Sequence, residues 1–405
     1  MNRSLRYLSR PLTAARSFTP LSSVYLTRNF PRAYLNTGAM AQNSATNGKP
    51  NTWQGAGAAE FDLRSMTFLW IKFFLFLMFT ILGDTMTKPT PSMLDAICQT
   101  TLLDDVFNED PTTNTLQNYV AERTQHEAAL LVLSGTMGNQ VAIRSHLTQP
   151  PYAVLCDHRS HIICYEAGGV SAWTGATVQT VSGEHLDGMI MPLAEARRIV
   201  EWAHENDIKV HLDGARLWQA VVSGAGSLSE YASIFDSVSL CFSKGLGAPI
   251  GSIIVGSQAF IKKARWFRKS IGGGARQTGV FAAAARVALD ETFGTDDHGQ
   301  TGKLSATHTM AKRVEELWTR HGGKLQYPVH TNMVWLDLEA SGVGPNDLSV
   351  IGKEKGLTLL GNRIVIHYQV SDEAIARLEQ VFDIAMKGQY QRSDDTSRAY
   401  GSKQT

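Results

Sequence analysis

The chain has 405 residues, 43% of them hydrophobic and 19% charged, with 38 basic against 37 acidic side chains and a formal net charge of +1. That length holds one large α/β domain plus a smaller one, each with ample apolar core. The near-neutral total conceals an asymmetry: residues 1–59 carry seven basic side chains and no acidic one, leaving 31 basic against 37 acidic in the body, which excludes a general affinity of the body for nucleic acid.

The first 59 residues place Arg3, Arg6, Arg10, Arg16, Arg28 and Arg32 among Ser, Thr and Leu. This is the composition of a mitochondrial transit peptide, and a start at Met40 gives a cytoplasmic form instead. Met66 to Gly83 is an apolar run with one charge, Lys72. A membrane helix needs about 20 such residues, so the run is a marginal span. Its length of eighteen codons also keeps the reading frame if a short intron has been translated, and a buried helix is the third reading.

From Ala128 strands and helices alternate, which predicts a mostly parallel sheet. Ala128 to Leu133 reads as a buried strand, followed by Ser134-Gly135-Thr136-Met137-Gly138 and a helix. Backbone N–H groups at such a helix start, with Gly for close approach and a nearby hydroxyl, bind a phosphate. Tyr152 to Asp157 is a second strand, with His161 shortly after it; Ala176 to Val181 is a third, and Leu193 to Glu205 an amphipathic helix. Ile208 to Leu212 ends in Asp213-Gly214-Ala215-Arg216, and Ser237 to Phe242 ends in Ser243-Lys244-Gly245. Two parallel strands deliver an Asp and a Lys to their carboxyl ends, in the crevice where open α/β sheets bind ligands. An amine there forms a Schiff base with an aldehyde cofactor, and a carboxylate keeps a pyridine nitrogen protonated, so the pair predicts a pyridoxal 5'-phosphate (PLP) site.

A helical link, Val280 to Phe293, precedes a smaller domain over residues 294–387; its elements are a helix from Ser305 to His321 and strands Asn332 to Leu338 and Arg363 to Tyr368. The resulting organisation is leader 1–59, large domain 60–293, small domain 294–387 and an unstructured tail 388–405. Cys98, Cys156, Cys164 and Cys241 lack metal-ligand spacing, and their contexts predict buried reduced thiols; no metal site is expected.

The strings SGTMGNQ, HLDGARLW, SKGLGAPIGS and GGGARQTG, in that order, resemble those of the low-specificity L-threonine aldolases, which belong to PLP fold type I beside the β-eliminating lyases. The resemblance runs from about Phe61 to about Lys387. It implies the aspartate aminotransferase-like fold, α/β with a mostly parallel central sheet plus a smaller α+β domain. It implies an internal Schiff base at Lys244, a salt bridge from Asp213 to the pyridine nitrogen, and His161 stacked on the ring and near the substrate hydroxyl as the preferred base. Arg216 is expected to contact cofactor and substrate carboxylate, and Arg363 to clamp that carboxylate. Gly135, Thr136 and Ser243 would hold phosphate, with Arg276 a further phosphate ligand across a dimer interface. The implied reaction is retro-aldol cleavage of threonine or allo-threonine to glycine and acetaldehyde by a homo-oligomer, a dimer of dimers, that needs no nucleic acid or membrane.

Two departures stand against this pattern. Asp62-Leu63-Arg64-Ser65 joined to Asp84-Thr85-Met86-Thr87 resembles the family's N-terminal signature, and the apolar run cuts it; intact, Ser65 would help hold the substrate carboxylate. Before Asp187 the family's further helix and central strand are missing, so two inner strands would be left with unpaired backbone groups. Alternatives are another PLP lyase acting on β-substituted amino acids, or an inactive or membrane-tethered paralogue.

Overall fold

The structure, a computed structural model, describes residues 83–181 and 188–388 together with the backbone of Phe79 and Thr80. The leader, Ser65, most of the apolar run and the tail beyond Gly388 lie outside the described residues. In chain order the strands are β1 (Phe79–Thr80), β2 (Ala128–Val132), β3 (Ala153–Asp157), β4 (Thr177–Val181), β5 (His211–Asp213) and β6 (Ser237–Cys241). They continue with β7 (Ser252–Gly256), β8 (Lys324–Leu325), β9 (Met333–Asp337), β10 (Leu357–Thr358) and β11 (Arg363–Val365).

The central sheet has the order β2-β7-β6-β5. β7 runs against both neighbours, and β5 is parallel to β6 with Asp213 opposite Ser239. β6 and β7 are buried along their whole length, which is why SVSLC and SIIVG carry no charged residue. The pleat sorts β2 onto two cores. Ala129 and Leu131 join Val238, Leu240, Trp218 and Phe293 on one face, while Leu130 and Val132 join Ile254, Val141 and Ile261 on the other. Helices Gly135–His146 and Gln258–Ser270 cover that second face.

β3 and β4 pair in parallel but form a separate two-stranded sheet, and β5 is an edge among the described residues. This matches the expectation of a lost central strand: among the described residues no strand bridges β5 to the β3-β4 pair. β3 and β4 are correspondingly half-exposed, with Leu155 at 56% and Val181 at 47%.

A C-terminal antiparallel sheet, β11-β9-β8, packs under helices Leu304–Arg320 and Asp372–Met386, where Trp318 and Phe382 meet edge to face. β1 lies parallel to β10, so Phe79 and Thr80 of the apolar run are extended strand; among the described residues no helix is long and apolar enough to cross a membrane. The cysteines need a correction. All four are free, but only Cys241 is buried; Cys98 and Cys164 close short helices at the surface, and Cys156 lies on the poorly covered β3.

Candidate active site

The site is built where β5 and β6 end. Beyond β6 the chain turns through Lys244 with Gly245 (φ 69°) and Gly247 (φ 90°) in the left-handed region, which other side chains strain to adopt. This turn is held from several sides: Trp218 Nε1 donates to the Cys241 carbonyl at 2.9 Å, Thr292 Oγ1 to the Leu246 carbonyl at 3.0 Å, and the Gly245 N–H to the Asp84 carbonyl at 2.9 Å. Lys244 and Ser243 are half-buried. Burial pushes the Cys241 thiol pKa up, and the same thiol feels Lys244, Asp213 and Arg216, so one atom lies within electrostatic reach of all three.

Asp213 is exposed and accepts Asn139 Nδ2 at 2.9 Å and the Ala215 N–H at 3.2 Å. Asn139 Nδ2 also donates to Glu166 Oε1 at 2.9 Å, and that oxygen meets His161 Nδ1 at 2.9 Å. Ligand atoms of His161, Glu166 and Asp213 lie within 4.8 Å of one another. The trio has metal-ligand chemistry, but one oxygen of each carboxylate already accepts the Asn139 amide, so a protein hydrogen-bond network accounts for the grouping.

The helix Gly135–His146 starts beside this cluster. Ser134 caps it by accepting the Met137 N–H, and the Gly135 and Thr136 amides head its first turn. A Cβ on Gly135 would sit 3.0 Å from Cys241 Sγ, and one on Gly138 would sit 2.8 Å from Ser239 Oγ, so bare glycines let the helix start close onto the end of β6.

Arg216 makes a bidentate pair with Asp84, Nε to Oδ2 at 2.8 Å and Nη2 to Oδ1 at 2.7 Å. Burial works against its charge, but the fully buried Asp84 carboxylate more than offsets this and raises its pKa. Asp84 is a site residue that the sequence reading used only as part of a broken signature. Its partner lies 132 residues away, a separation that residue pattern alone does not bridge.

Two candidates sit apart from this group in the contacts they make. Arg363, exposed at the start of β11, lies over the Trp335 ring at 5.6 Å, and Arg276, largely exposed, pairs with Asp104 at 2.6 Å. Tyr368, just beyond β11, does reach the lysine turn: a Cβ on Gly247 would collide with its hydroxyl, and burial, with Glu291 nearby, pushes its pKa up to about 12.

The residues present fit PLP. A primary amine, a carboxylate set to meet a ring nitrogen, and a helix start kept bare by Gly135 supply the three contacts that an aldehyde, a pyridine and a phosphate require. Comparison with known proteins agrees. The family description "Beta-eliminating lyase" matches residues 81–189 and 184–341. "Aldolase vrtJ" of Penicillium aethiopicum is 47% identical, covering 84% of this chain and 90% of its own. "Alanine racemase TOXG" of Cochliobolus carbonum is 39% identical over 85% and 92%, and the "Low-specificity L-threonine aldolase" of Candida albicans 40% over 74% and 87%. A solved aromatic amino acid beta-eliminating lyase/threonine aldolase from Exiguobacterium shares the fold, with a TM-score of 0.64 at 21% identity, covering 76% of this chain and 98% of that one. This chain therefore belongs to the beta-eliminating lyase family, as one of its PLP-dependent enzymes of fold type I related to the low-specificity L-threonine aldolases.

Proposed function

We propose that this chain cleaves L-threonine and L-allo-threonine to glycine and acetaldehyde. The observation that carries the reading is Asp213 and the Lys244 turn at the carboxyl ends of adjacent parallel strands, with the Gly135 helix start closed against the same strand end. Bound there, PLP supplies an electron sink for the electrons released when the Cα–Cβ bond breaks.

The chain's own residues do the rest. Lys244 Nζ is the amine that would hold the cofactor aldehyde. Asp213, braced by Asn139, would hold the proton on the ring nitrogen. Gly135 and Thr136 N–H groups, with Ser243, hold phosphate. Glu166 accepts from His161 Nδ1, which fixes the tautomer, leaves Nε2 as the acceptor, and stabilises the ring once it has taken the β-hydroxyl proton. Arg216 commits Nε and Nη2 to Asp84 and turns Nη1 to the substrate carboxylate; Arg363 is the second clamp. Arg276 reaches phosphate across a dimer interface in the homo-oligomer we propose, a dimer of dimers. The leader directs the chain to the mitochondrion, with Met40 as the start of a cytoplasmic form; a fluorescent fusion to residues 1–59 that stays diffuse would refute this.

Product analysis tests the activity. Threonine incubated with protein and PLP must yield glycine and acetaldehyde in equal amounts. The relative named as an alanine racemase supports a second reading on a substrate without a β-hydroxyl. Turnover of L-alanine to its enantiomer with no acetaldehyde from threonine would favour it.

A further inference from the structure

The carboxylate cluster is held by a chain of hydrogen bonds whose direction can be assigned. Asn139 is buried, and its Nδ2 donates to two carboxylate oxygens, on Glu166 and Asp213. Its Oδ1 is therefore the atom that meets His211 Nε2 at 3.2 Å, so His211 carries its proton on Nε2. His211 Nδ1 must then accept from the fully buried Ser237 hydroxyl at 2.8 Å, and Ser237 Oγ accepts from His146 Nε2 at 2.7 Å. Every donor in this chain points towards the two carboxylates. Asn139 is the junction, and it lies one helical turn after Gly135, a rise of about 6 Å along the helix whose start faces the Lys244 strand end.

We propose that Asn139 is a positioning residue that locks Asp213 and, through Glu166, His161 into one unit, so that a single helix sets both the phosphate end and the ring-nitrogen end of the cofactor site. The proposal rests on the PLP reading above. Asn139 touches no reacting atom; its amide fixes the orientation of the groups that do. An apolar residue there leaves two carboxylates without their shared donor, and a carboxylate there faces Glu166 and Asp213 as a third acidic group, with His161, His211 and, through Ser237, His146 as the basic groups of the network.

The test is titration of the metal-free apoprotein with PLP, read by absorbance and by the pH dependence of the visible band, for wild type, Asn139→Ala and Asn139→Asp. We expect Asn139→Ala to weaken cofactor binding by about tenfold or more, the size of a lost hydrogen bond to a charged group. Asn139→Asp keeps the volume. It should bind weakly at about pH 8 and recover towards wild type at about pH 6, because its protonated acid regains a donor. Should Asn139→Ala fail to fold, this recovery alone decides. Wild-type affinity in both variants, or an Asn139→Asp affinity with the same pH dependence as wild type, overturns the proposal while leaving the PLP reading intact. Failure of the wild-type protein to bind PLP at all overturns both.

Discussion

Replacing Asp84 by Ala removes both acceptors of Arg216 and leaves the backbone bond to the lysine turn in place, because the Asp84 carbonyl still receives the Gly245 N–H. Removing one partner of a fully buried pair costs about 3–5 kcal/mol. Asp84 is fully buried but the Arg216 side chain is 32% exposed, so water recovers part of that and about 2–3 kcal/mol is expected. For a domain of this size that lowers the melting temperature by roughly 4–6 °C. Asp84→Asn keeps one acceptor and should lose about half as much. Circular dichroism melts of the apoproteins measure both. Because a freed Arg216 no longer presents a fixed edge, KM for threonine should rise about tenfold in the holoenzyme. An Asp84→Ala protein that melts with wild type, or an Asn variant as damaged as the Ala variant, would refute the claim that this pair anchors Arg216.

Further outcomes follow from the same geometry. Burial lowers the pKa values of His146, beside His211, and of His308 from the ordinary 6.5 to about 4, and that of His211 in the same direction. The unfolded chain therefore binds protons that the fold refuses, so stability should be fully present above about pH 6.5 and fall as pH drops towards 4; a melting temperature flat across that window contradicts this. Gly138→Ala would ordinarily gain about 1 kcal/mol of helix propensity, but its Cβ meets Ser239 Oγ at 2.8 Å and Ile254 Cγ2 at 3.2 Å, so we expect a net loss of about 1–3 kcal/mol in chemical denaturation. β5 should exchange its amide hydrogens faster than β6, since β6 is paired on both sides and β5 on one among the described residues; equal protection would mean the slot left by the missing strand is filled.

The placement of Asp213, Lys244 and the Gly135 helix start at one sheet end was legible because it follows strand-end rules. Asp213 and Lys244 close apolar runs, and Ser134 to Gly138 reads as a cap followed by a helix; each depends on neighbours within a few residues. The parallel run of β5 beside β6 followed from the pattern of runs, and the split of the sheet from the gap that the family resemblance exposed before Asp187. What pattern missed is held together across the fold. Asp84 finds Arg216 only in three dimensions, and Glu166 joins His161 to Asn139 by bonds spanning 5 and 27 residues. The cysteines misled because an apolar context marks burial only where a sheet is covered, and β3 is covered poorly.

The central claim is that one amine, Lys244, holds the cofactor opposite Asp213. Its most direct measurement is borohydride reduction of the PLP-loaded protein followed by peptide mass spectrometry. The account predicts a single pyridoxyl-bearing peptide modified at Lys244, and a colourless Lys244→Ala variant that still folds. Label on a different lysine, or a visible band that survives in Lys244→Ala, would contradict it.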